Sequence, residues 1–153
     1  MIGRRISVTL AALALVGTVA PGVALAGGAT VTRGDLRPFA AGAGLDLSGR
    51  AQMVRTADGR TIVTLQVEGL AASTAYASHV HKQACADGDA DGHYRFDPTG
   101  AATPPNEIWL NFTTNAAGVG NSDAIADATA GPTAVSVVVH GAGGIKIACA
   151  DLD

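Results

Sequence analysis

After Ala26, no segment of this 153-residue chain has helical periodicity, none repeats, and no run of basic residues occurs. Arg4 and Arg5 stand near the start; without them eight basic residues face thirteen acidic ones, a net charge of −5 with histidine neutral. An acidic domain without a basic patch excludes nucleic acid as the expected partner. Nothing after Ala26 is long and apolar enough to cross a membrane. The scarcest chemistry is the most telling: there are only four histidines, two cysteines and one tryptophan.

The first 26 residues read as a secretory signal peptide. Arg4 and Arg5 give a short basic start, Ile6 to Val19 an apolar run, and Ala24-Leu25-Ala26 a small-x-small cleavage site. Gly17, Pro21 and Gly22 cut the run short of the roughly 20 residues a membrane span needs. Cleavage after Ala26 leaves one domain, 27–153, long enough to bury a core. The destination is secreted or within the cell envelope, and no cysteine sits at the cleavage point to carry a lipid. In an exported chain, Cys85 and Cys149 are most simply read as one disulfide. They are available as metal ligands only if that bridge is absent.

The mature chain reads as short strands and turns. Ala29–Arg33 is a candidate edge strand, and the Gly- and Ala-rich stretch 37–48 a loose connection. Arg50–Arg55 and Arg60–Val67 flank Ala57-Asp58-Gly59, a hairpin signal, and the second strand alternates with one apolar face. Tyr76–Lys82 is a strand, and residues 83–105 form a long aperiodic loop of the kind that carries function. Strands resume at Glu107–Thr114, Val119–Ala126, Val135–His140 and Ile145–Cys149. About eight short strands with glycine-rich turns predict an all-β sandwich or small closed barrel. Trp109 is expected to pack in the core or at its rim.

Every histidine and cysteine falls into one pattern. His79-Val80-His81 on a strand puts both imidazoles on one face, because side chains alternate with period two. His93 and His140, brought in from elsewhere, would complete a nitrogen-rich copper or zinc site. Taken singly, each is as well explained as a structural imidazole; four with none to spare point to a metal. Asp87-Gly88-Asp89-Ala90-Asp91-Gly92 copies the opening of an EF-hand calcium loop, but its twelfth position is Pro98 where a bidentate Glu belongs. A solvated acidic loop beside the metal is the stronger reading.

The chain resembles the copper–zinc superoxide dismutase family. The resemblance rests, in order, on His79-Val80-His81, Cys85, Gly92-His93-Tyr94-Arg95-Phe96-Asp97-Pro98, the turn Thr113-Thr114-Asn115-Ala116-Ala117-Gly118, Val137-Val138-Val139-His140 and Lys146-Ile147-Ala148-Cys149. It covers roughly 51–149 and implies an eight-stranded Greek-key β-barrel with copper on its outer wall. His79, His81 and His140 would match the family's copper ligands, His93 its metal-bridging histidine, and Cys85–Cys149 its disulfide. Lys146 stands where the family has an arginine that guides superoxide; lysine keeps the charge but loses the planar fork.

The departures are specific. Residues 94–111 contain no histidine, and only Asp97 and Glu107 among carboxylates, so a zinc site of the family's kind is not expected. Only eight residues separate His140 from Cys149, where the family has a long charged loop. The resemblance therefore implies a copper-only, exported superoxide dismutase, with superoxide as substrate and His93 and Lys146 as catalytic residues. With zinc absent, Glu107 or Asp97 is the candidate partner for the off-metal nitrogen of His93. Rival readings are a copper-binding or storage protein on the same scaffold, and a structural sandwich without metal. The sequence leaves oligomeric state open.

Overall fold

The computed structural model describes residues 27–153. The expected signal segment and its cleavage site lie outside the described residues. Within them run nine strands: β1 (Thr30–Asp35), β2 (Arg37–Pro38), β3 (Ser48–Arg55), β4 (Thr61–Glu68), β5 (Ala75–His81), β6 (Phe112–Thr113), β7 (Gly120–Ala126), β8 (Ser136–His140) and β9 (Lys146–Asp151). The only helical pieces among the described residues are 3-10 turns at Ala40–Gly42 and Ala142–Gly144.

The expected hairpin forms. β3 and β4 pair antiparallel from Ser48↔Glu68 to Arg55↔Thr61, around a turn in which Gly59 takes φ 88° and donates its N–H to the Thr56 carbonyl. Only glycine adopts that φ without strain. β1 lies outside β3 and β7 outside β4, giving a four-stranded antiparallel sheet in the order β1-β3-β4-β7. The second sheet has five strands, β2-β9-β8-β5-β6. The two face one another over a core that includes Met53, Val63, Leu65, Val80, Leu110 and Val137.

This is an antiparallel β-sandwich. Of the two expected forms it is the sandwich: the sheets do not join into the closed barrel, and nine strands stand where about eight were expected. The stretch 37–48 is also more than a connection. Arg37 and Pro38 pair with Cys149 and Ala148 as the outer strand of the second sheet. Proline is tolerated there because an outer strand leaves one side of its backbone unpaired.

The second sheet has a second, smaller apolar cluster on its outer face. Ala90, Val138 and Cys149 pack there with Phe39 and Cys85, beneath the start of the long loop. The Cys85–Cys149 disulfide is formed, with a sequence separation of 64, and ties that loop to β9. Asp151 Oδ1 accepts the Cys85 backbone N–H at 2.7 Å, a second tie at the same place.

Candidate metal centre

On β5 the period-two alternation sends Val80 into the main core and leaves His79 and His81 on the outer face of the sheet. β8, paired antiparallel with β5, contributes His140, two residues beyond Val138 on that same face. His93 arrives by pairing along the opposite edge of β5. It forms an isolated antiparallel bridge with His81, while the Tyr94 N–H donates to the Val80 carbonyl at 2.8 Å and the Lys82 N–H to the Gly92 carbonyl at 3.1 Å. One ring nitrogen from each of the four histidines then lies within 4.8 Å of all the others. All four sequence-predicted ligands are brought together.

Three of the imidazoles are tethered through the nitrogen that faces away from this centre. His81 Nδ1 donates to the carbonyls of Asp91 (3.1 Å) and Ala90 (3.3 Å), and His140 Nδ1 donates to the Gly144 carbonyl (3.1 Å). His93 Nδ1 donates to Glu107 Oε2 at 2.8 Å. Carbonyl oxygens only accept, so in His81 and His140 the ring proton sits on Nδ1 and Nε2 keeps its lone pair. The carboxylate of Glu107 imposes the same tautomer on His93.

The inward nitrogens are consequently acceptors without donors. His81 Nε2 and His140 Nε2 face each other across 3.3 Å, lone pair to lone pair. His79 Nδ1 is buried and has no hydrogen-bond partner. A buried acceptor left unpaired costs about 1–3 kcal/mol, and facing lone pairs add repulsion. A cation held by all four removes both penalties, so the donor set fits a metal ion.

Protonation does not compete for these nitrogens at neutral pH. Burial, with a smaller contribution from the neighbouring imidazoles, lowers the His79 pKa to about 4 and that of His81 to about 3. Burial also lowers His140, partly offset by its bond to the Gly144 carbonyl. Neutral imidazole is the ligating form.

Glu107, one of the two sequence candidates, is the partner of His93; Asp97 is not. Asp97 Oδ1 instead accepts the backbone N–H and hydroxyl of Thr99 and shapes a local turn. Glu107 is 3% exposed and fully engaged, since Oε2 also accepts Trp109 Nε1 at 2.8 Å and Oε1 accepts Arg95 Nε at 3.1 Å. Burial alone would raise its pKa; the bonds from Trp109, His93 and Arg95 outweigh that and hold it below the ordinary carboxylate value.

Trp109 and Arg95 are site residues that sequence reasoning missed. Trp109 does more than pack: it bridges His79 backbone to backbone, and its ring stands edge-on to the His79 ring at 5.3 Å. The signal was present in Glu107-Ile-Trp109, where period two places an acid and an indole on one face of an extended segment.

Lys146 lies beside the centre, and its ammonium donates to the carbonyls of Asp89 (2.6 Å) and Asp91 (2.7 Å). The second of these is the oxygen that tethers His81. Gly88, Asp89, Ala90 and Asp91 all take positive φ, which turns these carbonyls toward Lys146 and His81. In this acidic loop the ammonium of Lys146 takes the carbonyls, and the Asp91 carboxylate pairs with Lys82 at 2.9 Å. The side chain of His93 is 31% exposed, beside a cleft of about 270 Å³ whose lining includes Lys82, Arg95 and Thr133.

Two further observations bear on setting. No helix among the described residues is long and apolar enough to cross a membrane, and the disulfide is formed. Compared with known proteins, the chain matches no family model and no curated sequence.

Proposed function

We propose that this chain is an exported, copper-dependent superoxide dismutase of the copper-only kind, on a Greek-key sandwich. The observation that carries the reading is the set of four converging imidazoles, three of them locked in the tautomer that aims a lone pair inward. Four nitrogens and no thiolate suit copper in its divalent state. The strand orders support the Greek-key reading, because β4 lies beside β7 and β5 beside β8 rather than each beside its successor alone. The disulfide supports export.

Copper held by His79, His81, His93 and His140 would supply a one-electron couple able to oxidise one superoxide to dioxygen and to reduce a second, with two protons, to hydrogen peroxide. The chain's own residues supply the rest. His93 is the most exposed of the four, and its Nε2 is the nitrogen placed to take up a proton and deliver it to the bound anion. Throughout, its Nδ1–H stays on Glu107. That carboxylate, neutralised by Arg95, does for His93 what zinc does in the two-metal members of the family, so a zinc ion is not needed. Lys82 and Arg95 are paired with Asp91 and Glu107, so Lys146, whose ammonium rests on two neutral carbonyls, is the cation left to attract an anion, and local field governs that encounter.

The test is superoxide decay by pulse radiolysis on the copper-loaded, disulfide-oxidised 27–153 chain. His140→Ala and free copper at the same concentration serve as controls. Fast decay that needs His140 and ignores added zinc is expected. Tight copper binding with decay no faster than the His140→Ala control would make this a copper-holding protein and overturn the enzyme reading.

A further inference from the structure

His79 differs from the other three ligands in one respect. His81, His93 and His140 are each held by a hydrogen bond at the outward nitrogen. Among the described residues no hydrogen bond reaches the outward Nε2 of His79, and its inward Nδ1 is buried without a partner. A histidine ring without a hydrogen bond turns freely about its last torsion, which has a broad and roughly two-fold profile. Metal-binding imidazoles ordinarily avoid this through an outer hydrogen bond. Something else must hold His79.

Packing holds it, and the packing comes from Trp109. The segment 108–110 runs antiparallel to β5: the Val80 N–H donates to the Ile108 carbonyl at 3.1 Å and the Leu110 N–H to the Ser78 carbonyl at 2.7 Å. That register sets Trp109 directly opposite His79, where cross-strand side chains meet on one face. The indole then stands edge-on to the His79 ring, at 5.3 Å between centroids and 65° between planes. His93 lies against the same imidazole, at 4.1 Å and 34°. The indole N–H meanwhile donates to Glu107 Oε2, the oxygen that accepts His93 Nδ1.

We infer that Trp109 is the positioning residue for two of the four ligands: its ring edge sets the plane of His79, and its N–H sets Glu107 and through it His93. The ring contact and the N–H contact are separable, because phenylalanine keeps a ring edge and loses the donor, while leucine loses both. The inference rests on the metal-binding part of the proposed function, so its test begins without metal.

The experiment compares wild type, Trp109→Phe and Trp109→Leu. Imidazole nitrogen and proton resonances are recorded on the metal-free proteins, and copper(II) affinity is then measured by chelator competition, with electron paramagnetic resonance of the loaded forms. Wild type is expected to give one sharp set of ring signals for His79. In Trp109→Phe the His93 Nδ1–H resonance moves while that of His79 stays sharp, and affinity falls about tenfold. In Trp109→Leu the His79 signals also broaden or double, affinity falls about a hundredfold, and the copper spectrum changes.

If both variants keep wild-type imidazole signals and affinity, the inference is overturned. Should Trp109→Leu fail to fold, Trp109→Phe alone decides: an unmoved His93 resonance with unchanged affinity refutes the role. If instead wild type holds no copper while the metal-free signals change as stated, the proposed function fails and the positioning role stands.

Discussion

In β4 of the four-stranded sheet, Thr61, Val63, Leu65 and Val67 are buried and the residues between them are not. In β8 of the five-stranded sheet, all five residues from Ser136 to His140 are buried. One sheet has a single covered face; the other is covered on both where β5 and β8 meet. Its inner face packs into the core, and its outer face carries the histidines under the loop that Cys85 ties down. Both sheets build the core, but only the second also carries a covered outer face with polar side chains. A strand covered on both sides can place polar groups where water does not reach, which is the condition for imidazoles that stay neutral and lack partners.

That division can be broken at either end. The largest effect is expected from His81→Ala, which removes a central ligand and with it retention of copper through a chelating column, as metal analysis would show. The four-stranded sheet stays intact in that variant, so far-UV circular dichroism should not change. Next comes Cys85→Ser with Cys149→Ser. The chain-entropy model gives a loop of this length roughly 4 kcal/mol, and the variant should lose about that in urea unfolding. Copper affinity should fall with it, since the freed loop carries the carbonyls that tether His81. Leu65→Ala in the four-stranded sheet is the counter-experiment: about 3 kcal/mol of stability should go, while the copper spectrum of the folded fraction stays the same. A changed spectrum would mean the two sheets are not independent.

Between pH 7 and 5, acid should act chiefly through the histidines of the second sheet. His79 and His81 in the folded protein resist protonation down to about pH 4 and 3, whereas in the unfolded chain they take protons below about 6.5. The unfolded state therefore binds more protons in that window, and stability falls as pH falls through it. About 2 kcal/mol should be lost between pH 7 and 5, after discounting for screening and for coupling between the rings. Replacing both histidines by Phe should remove most of the dependence and leave the share of His140, which burial also lowers; an unchanged slope would assign it elsewhere. The smallest effect is expected at Lys146→Ala. The second-order rate with superoxide should drop severalfold and lose part of its salt dependence; an unchanged rate at low salt would leave the lysine as a loop anchor only.

The two sheets were also unequally legible. The β3–β4 hairpin is written in side-chain alternation and a glycine turn, and so was read correctly in position and pairing. His79, His81 and His140 were legible for the same reason, being strand residues of defined face. His93 and Trp109 reach the site through single backbone bridges along the edge of β5, and a main-chain hydrogen bond leaves no mark on side-chain pattern. The four ligands were identified by their scarcity, but the indole beside them was not. Lys146 shows the same limit: its charge was visible in sequence, whereas its attachment to two carbonyls depends on a run of positive φ through Asp89, Ala90 and Asp91, residues that usually avoid it.

The tie from Cys85 to Cys149 also makes the site depend on the fold. Cys149 lies on β9, and the loop it anchors presents the oxygens that orient His81. Two ligands share β5, whereas His140 comes from β8 and the orienting loop is pinned to β9 by the disulfide. The complete set of converging imidazoles therefore belongs to the folded, oxidised domain, and opening the bridge should loosen the site along with the fold.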